Sequence, residues 1–215
     1  MRTLYGYFRS SAAFRVRISL ALKGIDYVQK SVNLHPEVAA NKTDEFLALN
    51  PQGRVPYFID GDLKISQSPA ILDYLEEAYT DIPLMPADLD DRTKIRQLCN
   101  LIACDVHPLN NLSVLQYLKK NLEQGDAAVN AWYQHWIVEG FTALEALMKT
   151  YGCEGRYCYG RSVSLADVYL VPQVWNAYRF NVDLTSFPLI EGVYSELIKH
   201  EAFKKSLPEN QADAP

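Results

Sequence analysis

Asn50-Pro51-Gln52-Gly53-Arg54-Val55-Pro56-Tyr57-Phe58-Ile59-Asp60-Gly61-Asp62-Leu63-Lys64-Ile65-Ser66-Gln67-Ser68-Pro69 is the stretch from which the fold can be read. It opens on a turn signature, Asn50-Pro51-Gln52-Gly53. The run from Val55 to Ile65 then reads as a hairpin, because Asp60-Gly61 is a strong tight-turn signal. Pro56 leads the first of these strands, a position where proline is tolerated, and a cis Val55-Pro56 peptide is expected there. Ser68-Pro69 closes the stretch as N-cap and first helical residue. Ile71, Leu72, Leu75 and Ala78 line one face of the helix that follows.

On the amino-terminal side, Tyr27 to Leu34 alternates as a strand and Lys42 to Leu49 forms a connecting helix. From Ser10 or Ser11 to Lys23, the apolar Ala13, Phe14, Val16, Ile18, Leu20, Ala21 and Leu22 describe a mostly buried helix, and Gly24 supplies its stop. Thr3-Leu4-Tyr5-Gly6-Tyr7-Phe8 precedes it as a strand. Strand, helix, strand is a right-handed crossover, so the first two strands are expected to be parallel. The order βαβ, helix, ββ, helix is that of a thioredoxin-like domain. A doubly wound nucleotide domain needs further parallel strands and a Gly-rich phosphate loop, and the sequence has no such loop.

Beyond Ile82-Pro83-Leu84-Met85-Pro86-Ala87-Asp88 the rhythm changes to helix without strand alternation. The expected organisation is an α/β thioredoxin-like domain over residues 1–81, a linker over 82–88 and an all-α domain over 89–215. Helices are expected over about 88–121, 126–150, 165–178 and 188–200. The polar end, Glu209 to Pro215, is expected to fray. Ser164-Leu165-Ala166-Asp167 is a capping box, a signal about folding and not about chemistry.

A formal net charge of -5 argues against nucleic acid as a main partner, because phosphate recognition rewards an extended basic surface. No apolar run approaches the ~20 residues that span a bilayer, and Met1-Arg2-Thr3-Leu4-Tyr5 runs straight into a strand pattern, so the chain reads as cytoplasmic, with no membrane partner. Cys99, Cys104, Cys153 and Cys158 form no CxxC pair and keep no zinc-type spacing with histidine, so no metal is expected. Cys99 and Cys104 fall roughly 140° apart on a helix, and all four are expected to be reduced, buried small hydrophobes.

Chemistry concentrates at two helix starts. Arg9-Ser10-Ser11 puts two hydroxyls where free backbone N–H groups and the helix dipole favour negative charge, an environment that lowers the pKa of a thiol held there. Ser10 or Ser11 taken alone reads first as an ordinary N-cap. Ser66-Gln67-Ser68-Pro69 offers an amide and a hydroxyl at a second helix start, suited to a carboxylate. Val55-Pro56 lies beside both in a thioredoxin-like arrangement and exposes the Val55 backbone to an extended peptide. No cysteine occurs in residues 1–98, so a thiol would arrive with a ligand. The helical half adds a polar knot, His107-Pro108-Leu109-Asn110-Asn111, and Arg179 beyond an apolar run. Each of these, like Arg9, also reads as an ordinary packing or surface residue.

Tyr7-Phe8-Arg9-Ser10-Ser11-Ala12-Ala13-Phe14-Arg15-Val16-Arg17-Ile18 closely resembles the signature of the zeta-class glutathione transferases, the maleylacetoacetate isomerases. The likeness continues through Asn50 to Pro56, Gln67 to Ile71, Pro108 to Leu115 and Ala166 to Val174. The resemblance implies the glutathione transferase fold, glutathione as cofactor and a homodimer. It implies cis-trans isomerisation of a maleyl dicarboxylic acid, maleylacetoacetate to fumarylacetoacetate in tyrosine and phenylalanine catabolism. Carried over by residue, Ser10 and Ser11 would lie near the glutathione sulfur and Val55 would pair with its backbone. Gln67 and Ser68 would hold its γ-glutamyl carboxylate, Gln52, His107 and Asn111 would line its cleft, and Arg9 and Arg179 would face substrate carboxylates. Ala12 departs from the cysteine that many zeta members carry. His107 departs from members with glutamine and is similar to the maleylpyruvate isomerases. A transferase acting on small electrophiles, and a non-catalytic glutathione- or partner-binding protein, are the rival readings. Retention of both serines, Gln67-Ser68 and both arginines weighs against the second.

Overall fold

The computed structural model describes residues Met1–Pro215 as two compact units, Met1–Pro83 with His200–Pro215, and Leu84–Lys199. The first unit holds β1 (Arg2–Gly6), α1 (Ser11–Leu22), β2 (Val28–Ser31), α2 (Asp44–Leu49), β3 (Tyr57–Asp60), β4 (Leu63–Ser66) and α3 (Ser68–Ala78). The second holds α4 (Leu89–Asn100), a π-helical turn (Leu101–Val106), α5 (Leu112–Lys120), α6 (Asp126–Thr150), α7 (Leu165–Arg179) and α8 (Pro188–Leu197). The chain then returns to the first unit as α9 (Glu201–Ser206).

The sheet runs β2-β1-β3-β4, with β1 and β2 parallel and the other pairs antiparallel, the thioredoxin-like order. Strand alternation sorts its side chains. Leu4 opposite Phe58 joins Val16, Leu20, Ile71 and Leu75 on one face, while Tyr57 joins Tyr7, Val32, Phe46 and Val55 on the other. Leu4, Phe58, Ile71 and Leu75 are fully buried, each worth about 1.5–3 kcal/mol of removed apolar surface. The Val55–Pro56 peptide is cis, as the sequence indicates. α1 is buried on all sides, from Ala13 through Leu20 without a break, because sheet, α3 and α9 surround it.

Several expectations change. The helix expected over 88–121 is three pieces. After α4 the ladder widens so that His107 N–H reaches Ile102 C=O at 2.9 Å, and Pro108, which has no N–H to give, ends it before Asn111 caps α5. Gly140 of α6 admits this wider turn, since a Cβ there would come 2.1 Å from Val106 Cγ2. Ser68 is the first helical residue of α3 and Gln67 is its N-cap. Residues 200–215 belong to the first unit, and they are fastened there rather than frayed. Asp213 accepts from Phe8 N–H at 3.1 Å and from Ser31 Oγ at 2.8 Å. All four cysteines are free thiols, but only Cys99 and Cys158 are buried, while Cys153 is half-buried and Cys104 exposed. The capping box forms, with Asp167 accepting from Ser164 N–H at 2.7 Å, Ser164 Oγ at 2.9 Å and Cys158 N–H at 2.8 Å.

Candidate functional site

At Gly6 the chain leaves β1 and turns, Ser10 N–H closing on Tyr7 C=O at 2.9 Å. Ser10 is extended at φ -72° and ψ 111°, the geometry of an N-cap, and its Oγ accepts from Ala13 N–H at 3.2 Å. That bond occupies one lone pair and leaves the hydroxyl proton to be donated elsewhere. Ser11, the first helical residue, is 6% exposed. The Arg9 guanidinium lies 5.1 Å from the Phe8 ring centroid, and its Nη2 donates to Tyr7 Oη at 3.2 Å. No carboxylate stands within ion-pair distance of Arg9. Three successive residues therefore supply a cation without an internal counter-ion, a hydroxyl and a helix start, all of which stabilise an anion.

The second corner is the start of α3. Gln67 holds φ 71°, a conformation side chains rarely adopt, and its Nε2 donates to Gln52 Oε1 at 2.6 Å. This turns the two exposed amides toward each other. Gln52 is held there by its turn: its N–H donates to Asn50 Oδ1 at 3.2 Å, and Asn50 Nδ2 donates to Arg54 C=O at 2.7 Å. Gly53 follows at φ 59°, where a Cβ would press Asn41 O at 2.9 Å. Val55 stands before β3, so its backbone lies outside the sheet ladder.

The two corners are linked by a residue that the sequence reading missed. Arg15, on α1 one turn beyond Ser11, is 1% exposed, and its Nη1 donates to Ser68 Oγ at 3.4 Å. Ser68 is itself 3% exposed. Arg17, also 1% exposed, donates to the carbonyls of Tyr7, Phe8 and Ser206, and burial pulls its pKa down to about 10. The available signal was two arginines inside a helix apolar on every face, which demands internal partners for both.

In the second unit the polar knot is docked on α6, with Trp132 Nε1 donating to Leu109 C=O at 2.9 Å and Asn110 Nδ2 to Tyr133 C=O at 3.1 Å. His107, half-buried, ends the π turn. Asn111 caps α5, its Oδ1 accepting from Ser113 N–H and Oγ, each at 3.0 Å, which leaves its amide nitrogen to donate. Arg179 is exposed in the last turn of α7, 5.0 Å from the Phe180 ring centroid, and Phe180 stacks on the buried Tyr133 at 3.5 Å. Burial pushes the Tyr133 phenol up, opposed by the charge of Arg179. Arg9, Ser10, Ser11, Gln52, Val55, Gln67 and Ser68 thus lie in the first unit and His107, Asn111 and Arg179 in the second. No three His, Cys, Asp or Glu side chains gather as metal ligands.

Residues 2–77 match the family model of the glutathione S-transferase N-terminal domain. Maleylpyruvate isomerase of a Ralstonia species is 44% identical over 98% of this chain and 99% of its own. A solved holo structure of maleylpyruvate isomerase, described as a bacterial zeta-class glutathione S-transferase, superposes with a TM-score of 0.96 at 44% identity, covering 99% of this chain and 100% of that one. The maleylacetoacetate isomerase of Methylobacterium extorquens AM1, solved with malonate and glutathione bound, gives a TM-score of 0.94 at 36% identity over 99% of each chain.

Proposed function

The chain belongs to the zeta-class glutathione transferases, and on that footing we propose that it is a glutathione-dependent cis-trans isomerase of a maleyl dicarboxylic acid, with maleylacetoacetate before maleylpyruvate as substrate. The observation that carries the proposal is the pair of helix starts bridged by Arg15, with Arg9 free of ion pairs at one of them.

The residues present fit glutathione. Buried Ser68 at the start of α3, with Gln67 and Gln52, offers donors to a carboxylate. Val55 offers backbone outside the ladder to an extended peptide, and Ser10 and Ser11 offer a hydroxyl and a helix start to a thiolate. Glutathione, when bound, supplies a thiolate whose reversible addition to the cis double bond lets that bond rotate. All four cysteines of the chain lie in the second unit, so the thiol-binding corner has none of its own.

In this reading Ser10 and Ser11 hold negative charge on sulfur, and Arg9 and Arg179 each bind a substrate carboxylate, fixing the double bond for reaction. His107 and Asn111 contact the cofactor. Ala12 contributes no side-chain chemistry. We further read the protein as a cytoplasmic homodimer. Four free thiols suit a reducing compartment, and exposed Leu63 and Leu89 supply apolar surface for a partner copy. Light scattering should give twice the 24.4 kDa of one chain.

The test is conversion of maleylacetoacetate and of maleylpyruvate, each with and without glutathione. Conversion dependent on glutathione is expected. Conjugation of small electrophiles without isomerisation would favour the transferase reading, and glutathione binding without any turnover a binding protein.

A further inference from the structure

The turn that delivers Arg9 and Ser10 to the start of α1 is gripped by two charges of opposite sign. Phe8 and Arg9 are its central residues. The Phe8 carbonyl accepts from Arg17 Nη2 at 3.0 Å, and the Tyr7 carbonyl accepts from Arg17 Nη1 at 3.4 Å. The N–H of the same Phe8 donates to Asp213 Oδ2 at 3.1 Å. One residue is therefore held at its N–H by an anion and at its C=O by a cation.

Both charges are anchored well away in sequence. The Arg17 guanidinium also donates to the Ser206 carbonyl at the end of α9, from Nε at 3.3 Å and Nη2 at 3.2 Å. Asp213 is tied to β2, accepting from Ser31 Oγ at 2.8 Å and from Gln29 Nε2 at 3.3 Å. Arg9, in contrast, has no ion pair to fix it. It rests on the Phe8 and Tyr7 rings, at 5.1 and 5.8 Å, and on the Tyr7 hydroxyl. Its placement is thus inherited from the two residues whose backbone is clamped.

We infer that Asp213 is a positioning residue for the reaction: together with Arg17 it fixes Phe8, and through Phe8 it sets where the Arg9 guanidinium and the Ser10 hydroxyl stand. The inference rests on the reading that Arg9 and Ser10 serve the isomerase. A tail that merely adds stability would loosen the whole unit when cut free, whereas a positioning clamp acts on one turn.

The experiment compares wild type with Asp213→Ala and Asp213→Asn, the second keeping one neutral acceptor oxygen. In protein without glutathione, Asp213→Ala should speed hydrogen exchange at the Phe8 amide about tenfold or more while the Leu4 and Phe58 amides of the sheet core keep their wild-type rates. With glutathione and a maleyl substrate, kcat should fall about tenfold, with the half-saturating glutathione concentration within about twofold of wild type. Asp213→Asn should recover part of both losses. If Asp213→Ala does not fold, Asp213→Asn decides, with the same changes expected at smaller size. Unchanged Phe8 exchange, an unchanged kcat, or a loss of kcat accompanied by equal acceleration of the Leu4 and Phe58 amides overturns the inference. Wild-type protein that fails to isomerise either maleyl acid overturns the functional reading instead, and the exchange result then still decides whether Asp213 clamps Phe8.

Discussion

Gly140→Ala should destabilise the protein, although alanine is the better helix former. A Cβ at position 140 would lie 2.1 Å from Val106 Cγ2 and 3.7 Å from Leu101 Cδ2. Apolar carbons settle at about 3.5–4.0 Å, so Val106 must give way by more than ~1 Å. Val106 is 1% exposed, and its β-branched side chain has few rotamers to escape into. Overpacking of this kind costs about 1–3 kcal/mol, more where the neighbour is rigid, against roughly 1 kcal/mol gained by replacing glycine in a helix. The net expectation is a loss of about 1–2 kcal/mol, read as a lower urea midpoint at unchanged slope. Val106→Ala alone should cost about 1–3 kcal/mol through its cavity. The double variant should lose at least ~1 kcal/mol less than the sum of the singles, because the added methyl fills the space that the removed ones leave. His107 follows Val106 directly, so Gly140→Ala should also lower isomerase turnover, and the double variant should recover part of it. A Gly140→Ala protein as stable as wild type, or an additive cycle, would refute the argument that glycine admits the π turn.

Ser10→Ala removes the cap on Ala13 N–H, at a cost of about 1 kcal/mol in stability, and should raise the pKa of bound glutathione, read by thiolate absorbance, with a matching fall in turnover. Arg179→Ala should instead raise KM for the maleyl acid and leave glutathione affinity intact, as steady-state kinetics and calorimetry will show. Exposed Cys104 should be alkylated by iodoacetamide in folded protein, whereas Cys158, whose thiol is pushed up by burial and by Asp167 beside it, should react only on unfolding, as peptide mass mapping can show. Burial works to raise the Asp60 carboxyl, but bonds from Tyr79 and Tyr74 and the charge of Arg2 hold its pKa below the ordinary 3.8. Its contribution is present above that pH and lost as acid protonates it, so urea midpoints below about pH 3.8 should fall more steeply for wild type than for Asp60→Asn.

The strand order and the start of α1 were legible because each rests on a local signal: the Asp60-Gly61 turn, proline at position 56, serine before an apolar run. The break in the long helix was not. Apolar spacing through Leu98, Cys99, Ile102 and Val106 continues across it, and a π turn shifts the register by one residue without changing which side chains are apolar. Pro108 was the visible warning. Gln67 as cap of α3 was hidden because it follows from a backbone at φ 71°, with no side-chain cap bond, while Ser68-Pro69 looked like the commoner arrangement. At the site, hydroxyls and amides announced themselves by type and place. Arg15 did not, since its role depends on meeting Ser68 across fifty-three positions of chain. The tail escaped for the same reason: Glu209 to Pro215 carries no apolar pattern, and what fastens it is one aspartate meeting β2 and the Phe8 N–H in the turn after β1.

Because the first unit is made of both Met1–Pro83 and His200–Pro215, its assembly on the ribosome cannot finish in the order of translation. When Pro83 emerges, α1 still has one bare side. Phe203, fully buried in the finished protein, and the Ser206 carbonyl that receives Arg17 are not yet made. The whole of Leu84–Lys199 must be synthesised in between, and it carries its own capping box and core. The helical unit can therefore complete itself while the earlier one waits with one side of α1 uncovered, a client for any chaperone that recognises bare apolar helix. Emergence of His200–Pro215 from the exit tunnel is then the event that completes the first unit.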